Sequence, residues 1–287
     1  LSDFWLETLA GYEQIYIGFS GGLDSTVLLH VLANEPLLSH KLQAVHINHG
    51  LSEYAAAWQQ HCLRICQENH IVCHTQAVSC HSQANIEEEA RKARYQVFAQ
   101  LVRENQCLLT AHHQDDQAET ALLHLFRGAG VKGIAAMNAA VPLGHGYLHR
   151  PFLTIARQTL VDYAQKHQLV WIEDDSNNNT RFSRNFIRQQ VLPLLETKWP
   201  AVKANLTRTS YLCRQAQDNL DDLALIDHPD LIEKKPTLSL VKLVQLNQAR
   251  LINVLRYWLQ KQITRLPSAE IMKRLVTEVI HAEVDSN

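Results

Sequence analysis

Four short β-branched or apolar runs, at Gln14–Phe19, Leu42–Ile47, Ile71–Val78 and Cys107–Ala111, punctuate the first 175 residues, with helical periodicity between them. Val27, Leu28, Val31 and Leu32 repeat at helical spacing after the first run, and Ile86, Ala90, Ala93, Val97 and Leu101 do so before the fourth. Alternation of this kind predicts an α/β class, a doubly wound parallel sheet with helices on both faces. Ligands of such sheets collect at the carboxyl ends of the strands, so the residues just after each run are the first candidates for chemistry. Beyond Pro193 the strand signals fade. Ala201–Ile226 reads as a long helix broken by Asp227-His228-Pro229-Asp230, and Leu240–Leu259 and Ser268–Ile280 read as further helices, the last opened by a Ser N-cap after Pro267. With Trp199-Pro200 as the boundary, residues 1–200 are expected to form the α/β domain and residues 201–287 a second, smaller all-helical domain. Two domains suit 287 residues at roughly 150 residues each.

Hydrophobic residues make up 46% of the chain and charged residues 20%, which excludes a disordered chain. No run approaches the roughly 20 apolar residues that span a bilayer, and the opening LSDFWLETLAGYEQ lacks the basic-then-apolar order of a secretion signal, so the expected address is the cytoplasm with no membrane partner. Beginning at Leu1 and stopping at Val284-Asp285-Ser286-Asn287 without an evident closing element, the chain reads as a trimmed or incomplete piece. Cys62, Cys66, Cys73, Cys80, Cys107 and Cys213 form no C-x-x-C pair, so they read as reduced, mostly buried thiols rather than a zinc ribbon or redox couple. The net charge of −2 conceals three blocks. Arg181, Arg184, Arg188, Lys198, Lys203, Arg208 and Arg214 face only Glu196. Asp218, Asp221, Asp222, Asp227, Asp230 and Glu233 then face no Lys or Arg. Lys242, Arg250, Arg256, Lys261, Arg265, Lys273 and Arg274 face only Glu270. Solvated helix faces account for any one block; two basic blocks in one C-terminal third also fit a polyanion, nucleic acid above all.

The sharpest local signal is Ser20-Gly21-Gly22-Leu23-Asp24-Ser25, between the first run and a helix expected near Thr26. Two glycines let backbone N–H groups approach an anion, the Ser20 and Ser25 hydroxyls add donors, and the helix start adds its positive end. Asp24 would repel phosphate unless a divalent cation lay between them, which assigns it to magnesium. The competing reading is a Gly-Gly turn with a Ser or Asp cap. The absence of a G-K-[ST] lysine excludes a Walker loop.

SGGLDS after a strand resembles the PP-loop of the ATP pyrophosphatase superfamily, with its adenine nucleotide alpha hydrolase-like fold. HINHGLS (His46–Ser52), IEEEARKARY (Ile86–Tyr95), TAHHQDDQAET (Thr110–Thr120), RPFLTIAR (Arg150–Arg157) and WIEDDSNNNTRFSRNFIR (Trp171–Arg188) are together similar to the tRNA(Ile)-lysidine synthetase family, densely over residues 14–200. The resemblance implies a ligase that uses ATP and Mg2+ on a tRNA(Ile) with a CAU anticodon. The C2 oxygen of the wobble cytidine is adenylylated with loss of pyrophosphate, and free L-lysine then displaces AMP to give lysidine. It implies phosphate contacts at Ser20, Gly21, Gly22, Leu23, Asp24 and Ser25, and a tRNA-binding role for the helical domain. A homodimer is compatible with it.

His112, His113, Asp115, Asp116 and Glu119 follow the fourth run and would lie beside the first loop. Their carboxylates suit the ammonium of lysine or a magnesium ion and their imidazoles suit phosphate or proton transfer, with His112 and Asp116 the foremost candidates. Helix capping by Asp115 and Asp116 is the structural alternative. Arg91 and Arg94 share a helix face and could neutralise the α-phosphate or AMP, while Glu87 and Glu88 offer Arg91 ordinary helix salt bridges. Arg184 and Arg188 could face tRNA phosphate or the active site. Glu173, Asp174 and Asp175 read as a solvated turn, and Asn177-Asn178-Asn179 as a connector. Two other readings remain open: another PP-loop adenylylating enzyme of the thiolase type, for which paired cysteines are lacking, and a non-catalytic ATP-sensing module.

Overall fold

The computed structural model describes residues 1–50, 52–78, 86–173, 182–233, 236–263 and 266–280. Cys80, Asp174, Asp175, residues 177–179, Arg181, Arg265 and the Glu87 side chain lie outside the described residues. The chain divides into two compact units, Leu1–Ser210 and Tyr211–Asn287.

In the first unit the four predicted strands all form, as β1 (Gln14–Gly18), β2 (Leu42–Asn48), β3 (Val72–Ala77) and β4 (Gln106–Leu109). They alternate with α1 (Asp3–Ala10), α2 (Leu23–Ala33), α3 (Ala55–Glu68) and α4 (Ile86–Leu101). A hairpin of β5 (Ala140–Leu143) and β6 (Gly146–His149) completes a six-stranded sheet in the order β3-β2-β1-β4-β6-β5. The sheet is mixed rather than wholly parallel, because β5 pairs antiparallel with β6 across a turn where Gly144 adopts φ +59°.

Alternate residues of β1 feed the two faces. Ile15 and Ile17 join Leu9, Leu28, Leu29, Leu32, Cys62 and Leu160 on one side, whereas Tyr16 joins Val45, Phe98, Val102, Leu108 and Leu148 on the other. The chain leaves β1 toward β2 and β3, then returns to place β4 on β1's opposite side, so the sheet reverses direction between β1 and β4. At such a reversal an open α/β sheet leaves a crevice beyond its strand ends, and here the segments that follow β1 and β4 flank that position.

The rest of the first unit covers this edge. α5 (Gln114–Phe126) follows β4, and α6 (Val131–Ile134) and α7 (Arg157–Lys166) lie on either side of the hairpin in sequence. α8 (Ser183–Phe186) runs into a single π-turn, Ile187–Val191, and then α9 (Leu192–Lys198). Pro193 at the start of α9 has no N–H to continue the α ladder, and one wider turn accommodates it. Ala118 and Leu122 of α5 pack with Ile187, Leu192 and Leu206, fixing the 183–198 segment against α5.

The division between units falls inside α10 (Val202–Asp227). In the second unit the single helix expected at Leu240–Leu259 is two, α11 (Leu240–Leu243) and α12 (Gln248–Gln262), because Asn247 accepts a 3.0 Å hydrogen bond from the Arg250 amide and caps a new start. Ser268 caps α13 (Ala269–Arg274) in the same way. Ala224, Leu231, Leu243, Leu251, Val254, Leu255 and Met272 form its core. The acidic block answers part of the second basic block here: Arg250 grips the buried Asp227 with two nitrogens, and Lys242 reaches Asp230 at 2.8 Å. Among the described residues no helix is long and apolar enough to cross a membrane.

Candidate active site

The segment after β1 is built for close backbone approach. α2 starts at Leu23, earlier than the expected Thr26, so Asp24 and Ser25 belong to its first turn and Gly22 occupies its N-cap without a capping side chain. The first amides of the helix therefore lack side-chain acceptors, the arrangement that receives an anion. Gly21 adopts φ +80°, and a Cβ there would lie 2.9 Å from both Cys62 Sγ and Ile172 Cδ1. Ile172 N–H donates to the Gly21 carbonyl at 2.8 Å and holds the loop from outside. The Ser20 and Ser25 hydroxyls were expected to face the anion; they bind each other at 3.1 Å, and Ser25 also donates to the Gly22 carbonyl at 3.0 Å. In this arrangement they brace the loop.

Asp24 projects toward the segment after β4. Its Oδ2 lies 3.5 Å from His113 Nε2, which is also 3.4 Å from Asp116 Oδ2. Its Oδ1 is buried with no hydrogen-bond partner among the described residues. An orphaned carboxylate oxygen beside an anion cradle fits a divalent cation. Among the described residues no group of three or more His, Cys, Asp or Glu is arranged to hold a metal, so the fit is to an ion carried largely by substrate phosphates, as magnesium commonly is. His46 and His49 form no such group either: His46 Nδ1 faces the Phe19 carbonyl at 3.0 Å, and burial pushes both imidazoles below their usual pKa.

α5 begins at the crevice with a cluster that the sequence only outlined. Asp116 Oδ2 accepts the His113 amide at 3.0 Å, so the capping alternative is part of its role. Its Oδ1 accepts from Arg184 Nη2 at 3.0 Å and Arg188 Nη2 at 3.3 Å. Glu119, with no exposed surface, takes Arg184 Nε at 2.7 Å and Arg188 Nε at 2.6 Å. Asp115 accepts the Arg157 amide at 3.1 Å and pairs with Lys203 at 2.7 Å. The carboxylates expected to meet lysine or magnesium are thus engaged by arginine and lysine side chains of the first basic block.

These partners set the protonation states. Asp116 is held down to about 2: burial opposes its charge, but His113, Arg184 and His112 outweigh it. His113 is also penalised by burial, yet Asp24, Asp116 and Asp115 raise it above its ordinary value. His112 goes the other way, to about 3, driven by burial, with Asp116 opposing and Arg150, Arg184 and Arg91 adding to the fall. Its Nδ1 lies 2.8 Å from Thr110 Oγ1, so it stays a neutral imidazole in a fixed orientation.

On α4 Glu88 pairs with Lys92 at 3.0 Å, and Arg91 stacks over Tyr95 with its guanidinium carbon 5.3 Å from the ring centre. Arg94 is drawn below its usual pKa by burial, and Arg91 and Arg184 add to that. The structure therefore brings the Ser20–Ser25 loop, Asp24, Asp116 and Arg184 together through His113, and sets His112 in the field of Arg91 and Arg184. His113, Glu119 and Arg188 complete the cluster, and Glu119 and Arg188 stand one helical turn from Asp116 and Arg184.

Residues 4–195 match the family model of a PP-loop domain, and residues 238–287 match that of a TilS substrate binding domain. The tRNA(Ile)-lysidine synthase of Legionella pneumophila (strain Paris) is 48% identical over 286 residues, covering 100% of this chain. That of Coxiella burnetii (strain RSA 493 / Nine Mile phase I) is 43% identical over 287 residues, covering 99%. The chain spans 66% and 64% of the lengths of these two relatives. Among solved structures, the U34-tRNA thiolase NcsA from Methanococcus maripaludis with its 4Fe-4S cluster superposes with a TM-score of 0.57 at 17% identity, over 72% of this chain and 75% of that one, a likeness of fold. Because the family model of a PP-loop domain matches residues 4–195, most of the chain, the chain belongs to the PP-loop family.

Proposed function

We propose that this chain carries out ATP-dependent ligation of lysine to C2 of the wobble cytidine in the CAU anticodon of tRNA(Ile), forming lysidine. The observation that carries the reading is similarity along the whole chain to tRNA(Ile)-lysidine synthases, joined to a phosphate cradle that shares one crevice with a carboxylate–arginine cluster. The cytidine O2 attacks the α-phosphorus, forming an O–P bond as the bond to pyrophosphate breaks. The lysine ε-nitrogen then attacks C2, the C–O bond breaks to release AMP, and the nitrogen loses a proton. The loop amides from Gly21 to Ser25 bind the pyrophosphate end. A magnesium ion at Asp24 supplies charge neutralisation to the phosphates when bound. Arg91 and Arg94 face the α-phosphate and the AMP leaving group. His112 orients by hydrogen bonding as a neutral ring, Asp116 fixes His113, and Arg184 and Arg188 hold Asp116 and Glu119 in place until lysine's ammonium competes for them.

Residues 1–200 act as the ATP-binding catalytic domain and residues 201–287 as the tRNA-binding domain, in the cytoplasm where tRNA, ATP and free lysine meet. Among the described residues, three thiols offer sulfur insertion no support: Cys62, Cys66 and Cys107 are buried, and burial pushes Cys62 and Cys107 up to about 12, whereas the half-buried Cys73 is lowered by its hydrogen bond with Cys66. The deciding experiment incubates the protein with ATP, radiolabelled lysine and bulk bacterial tRNA. Label should enter RNA only when ATP is present. Pyrophosphate release without label would indicate a different adenylylating enzyme, and no release with any RNA would indicate a sensor.

A further inference from the structure

Arg150 is a buried cation, and none of the described carboxylates pairs with it. It follows β6, whose last residue pairs with the last residue of β4 (Leu109 with His149), and the Thr110 amide donates to the His149 carbonyl at 3.0 Å. Arg150 thus emerges at the carboxyl edge of the sheet beside Thr110 and His112, and its charge acts on His112. The residue is 5% exposed. Its Nη1 donates to the Asn138 carbonyl at 2.6 Å and its backbone amide to the Ala139 carbonyl at 2.8 Å, while Nε is buried with no partner.

No carboxylate among the described residues pairs with it, and the acids of the cluster are engaged elsewhere: Asp116 and Glu119 by Arg184 and Arg188, Asp115 by Lys203. The anchor is itself fixed. Gln117 of α5 donates to the Met137 carbonyl at 2.9 Å and accepts the Met137 amide at 3.0 Å, tying the strand of chain that holds Arg150 to the helix that carries Asp116 and Glu119. A desolvated guanidinium with a positioned anchor and no anion is costly for the fold alone and is accounted for when the anion arrives with a ligand.

We propose that Arg150 is an anion-binding residue of the active site whose counter-ion is the α-phosphate of the adenine nucleotide, the phosphate retained in AMP. This rests on the ATP reading above. In that reading the loop after β1 takes the pyrophosphate end, and β6 stands two strands away, beyond β4 and about 10 Å off at the usual strand spacing, a span that an arginine side chain and the neighbouring phosphate can bridge.

The test compares wild type with Arg150→Met, Arg150→Gln and Arg150→Lys by calorimetric titration with AMP, pyrophosphate and lysine separately, and by melting temperature without ligand. A ligand role predicts that Met and Gln weaken AMP about tenfold or more while Lys stays within about threefold, and that pyrophosphate is held within about twofold. It also predicts an unliganded melting temperature equal to or above wild type, because a buried unpaired charge has been removed. Unchanged AMP affinity in Arg150→Met, a loss confined to lysine or to pyrophosphate, or failure of both neutral variants to fold would overturn the assignment. If wild type binds neither AMP nor pyrophosphate, the ATP reading itself fails.

Discussion

At Asp24 one carboxylate oxygen is buried without a partner and the other faces His113. Asp24→Asn keeps that shape and removes the charge. Pyrophosphate release should disappear while the melting temperature shifts by no more than about 2 °C; near-normal release by the folded variant would remove the cation role. The pair His112 and Asp116 separates chemistry from scaffolding. His112→Ala should reduce lysine transfer with little loss of stability. Asp116→Ala should reduce transfer and also destabilise the fold by about 2 kcal/mol, since it strips a helix cap and leaves Arg184 and Arg188 short of an acceptor. Thermal melts beside single-turnover assays read both. The same residues set an acid limit. His112 is ordinarily near 6.5 and is held at about 3, so below pH 6.5 the unfolded chain binds a proton that the folded chain refuses, and stability falls as pH drops toward 3. Asp116 adds loss of the same sign between 3.8 and about 2. His113 works oppositely: its raised pKa gives stability present below 6.5 that is lost as pH rises through the raised value. Melting temperature plotted against pH should therefore slope less between about 6.5 and 4 in His112→Asn than in wild type; parallel profiles would mean that His112 is not held neutral.

Among the local elements, the loop between β1 and α2 depends on one backbone geometry. Gly21→Ala sets a side chain at φ +80° and drives its Cβ to 2.9 Å from Cys62 and Ile172, so it should cost about 1–3 kcal/mol and weaken nucleotide binding. Gly22→Ala meets nothing closer than Ser20 Oγ at 3.5 Å, at an ordinary φ of −74°, and should fold nearly as wild type. Equal melting temperatures for the two variants would show that the loop relaxes freely. This contrast also marks what could be read beforehand. The four strands of the parallel core were legible because apolar β-branched runs such as Ile15 to Phe19 are bounded by turn residues, and the loop was legible because glycine pairs after a strand are sparse. The β5–β6 hairpin was not: each strand is four residues, Pro142 interrupts one, and most of β5 stays outside the core, so no alternation stands out. Asn247 escaped notice for a related reason, as it interrupts an otherwise continuous helical periodicity by a cap alone. Within the site, the residue types were legible and their pairing was not. That His113 rather than His112 turns toward Asp24, and that Glu119 lies beneath two arginines, follows from the packing of the 183–198 segment on α5, a long-range contact with no local signature.

Across the whole molecule, the three charge blocks resolve into side chains with different duties. Arg184, Arg188 and Lys203 of the first basic block neutralise carboxylates of the α5 cluster, and Arg250 and Lys242 of the second neutralise Asp227 and Asp230. What remains for a polyanion is smaller than the arithmetic promised. Arg208 touches only Asn205 at 3.1 Å, and no ion pair involves Arg208, Arg214 or Arg256 among the described residues. If these three contact tRNA phosphates, reversing each to Glu should weaken binding to all tRNAs alike and flatten the dependence of log K on log salt by about 0.7–0.9 per lost phosphate contact. Nucleotide affinity should stay unchanged, because the cradle uses none of them. Arg250→Glu makes the informative control. It opposes the buried Asp227 directly, so it should lower the melting temperature of the helical unit and leave the salt slope of the residual binding as it was. A flattened slope for Arg250→Glu with no change in melting would place that arginine on the RNA instead, and an unchanged slope for the triple reversal would remove the phosphate role from these three arginines.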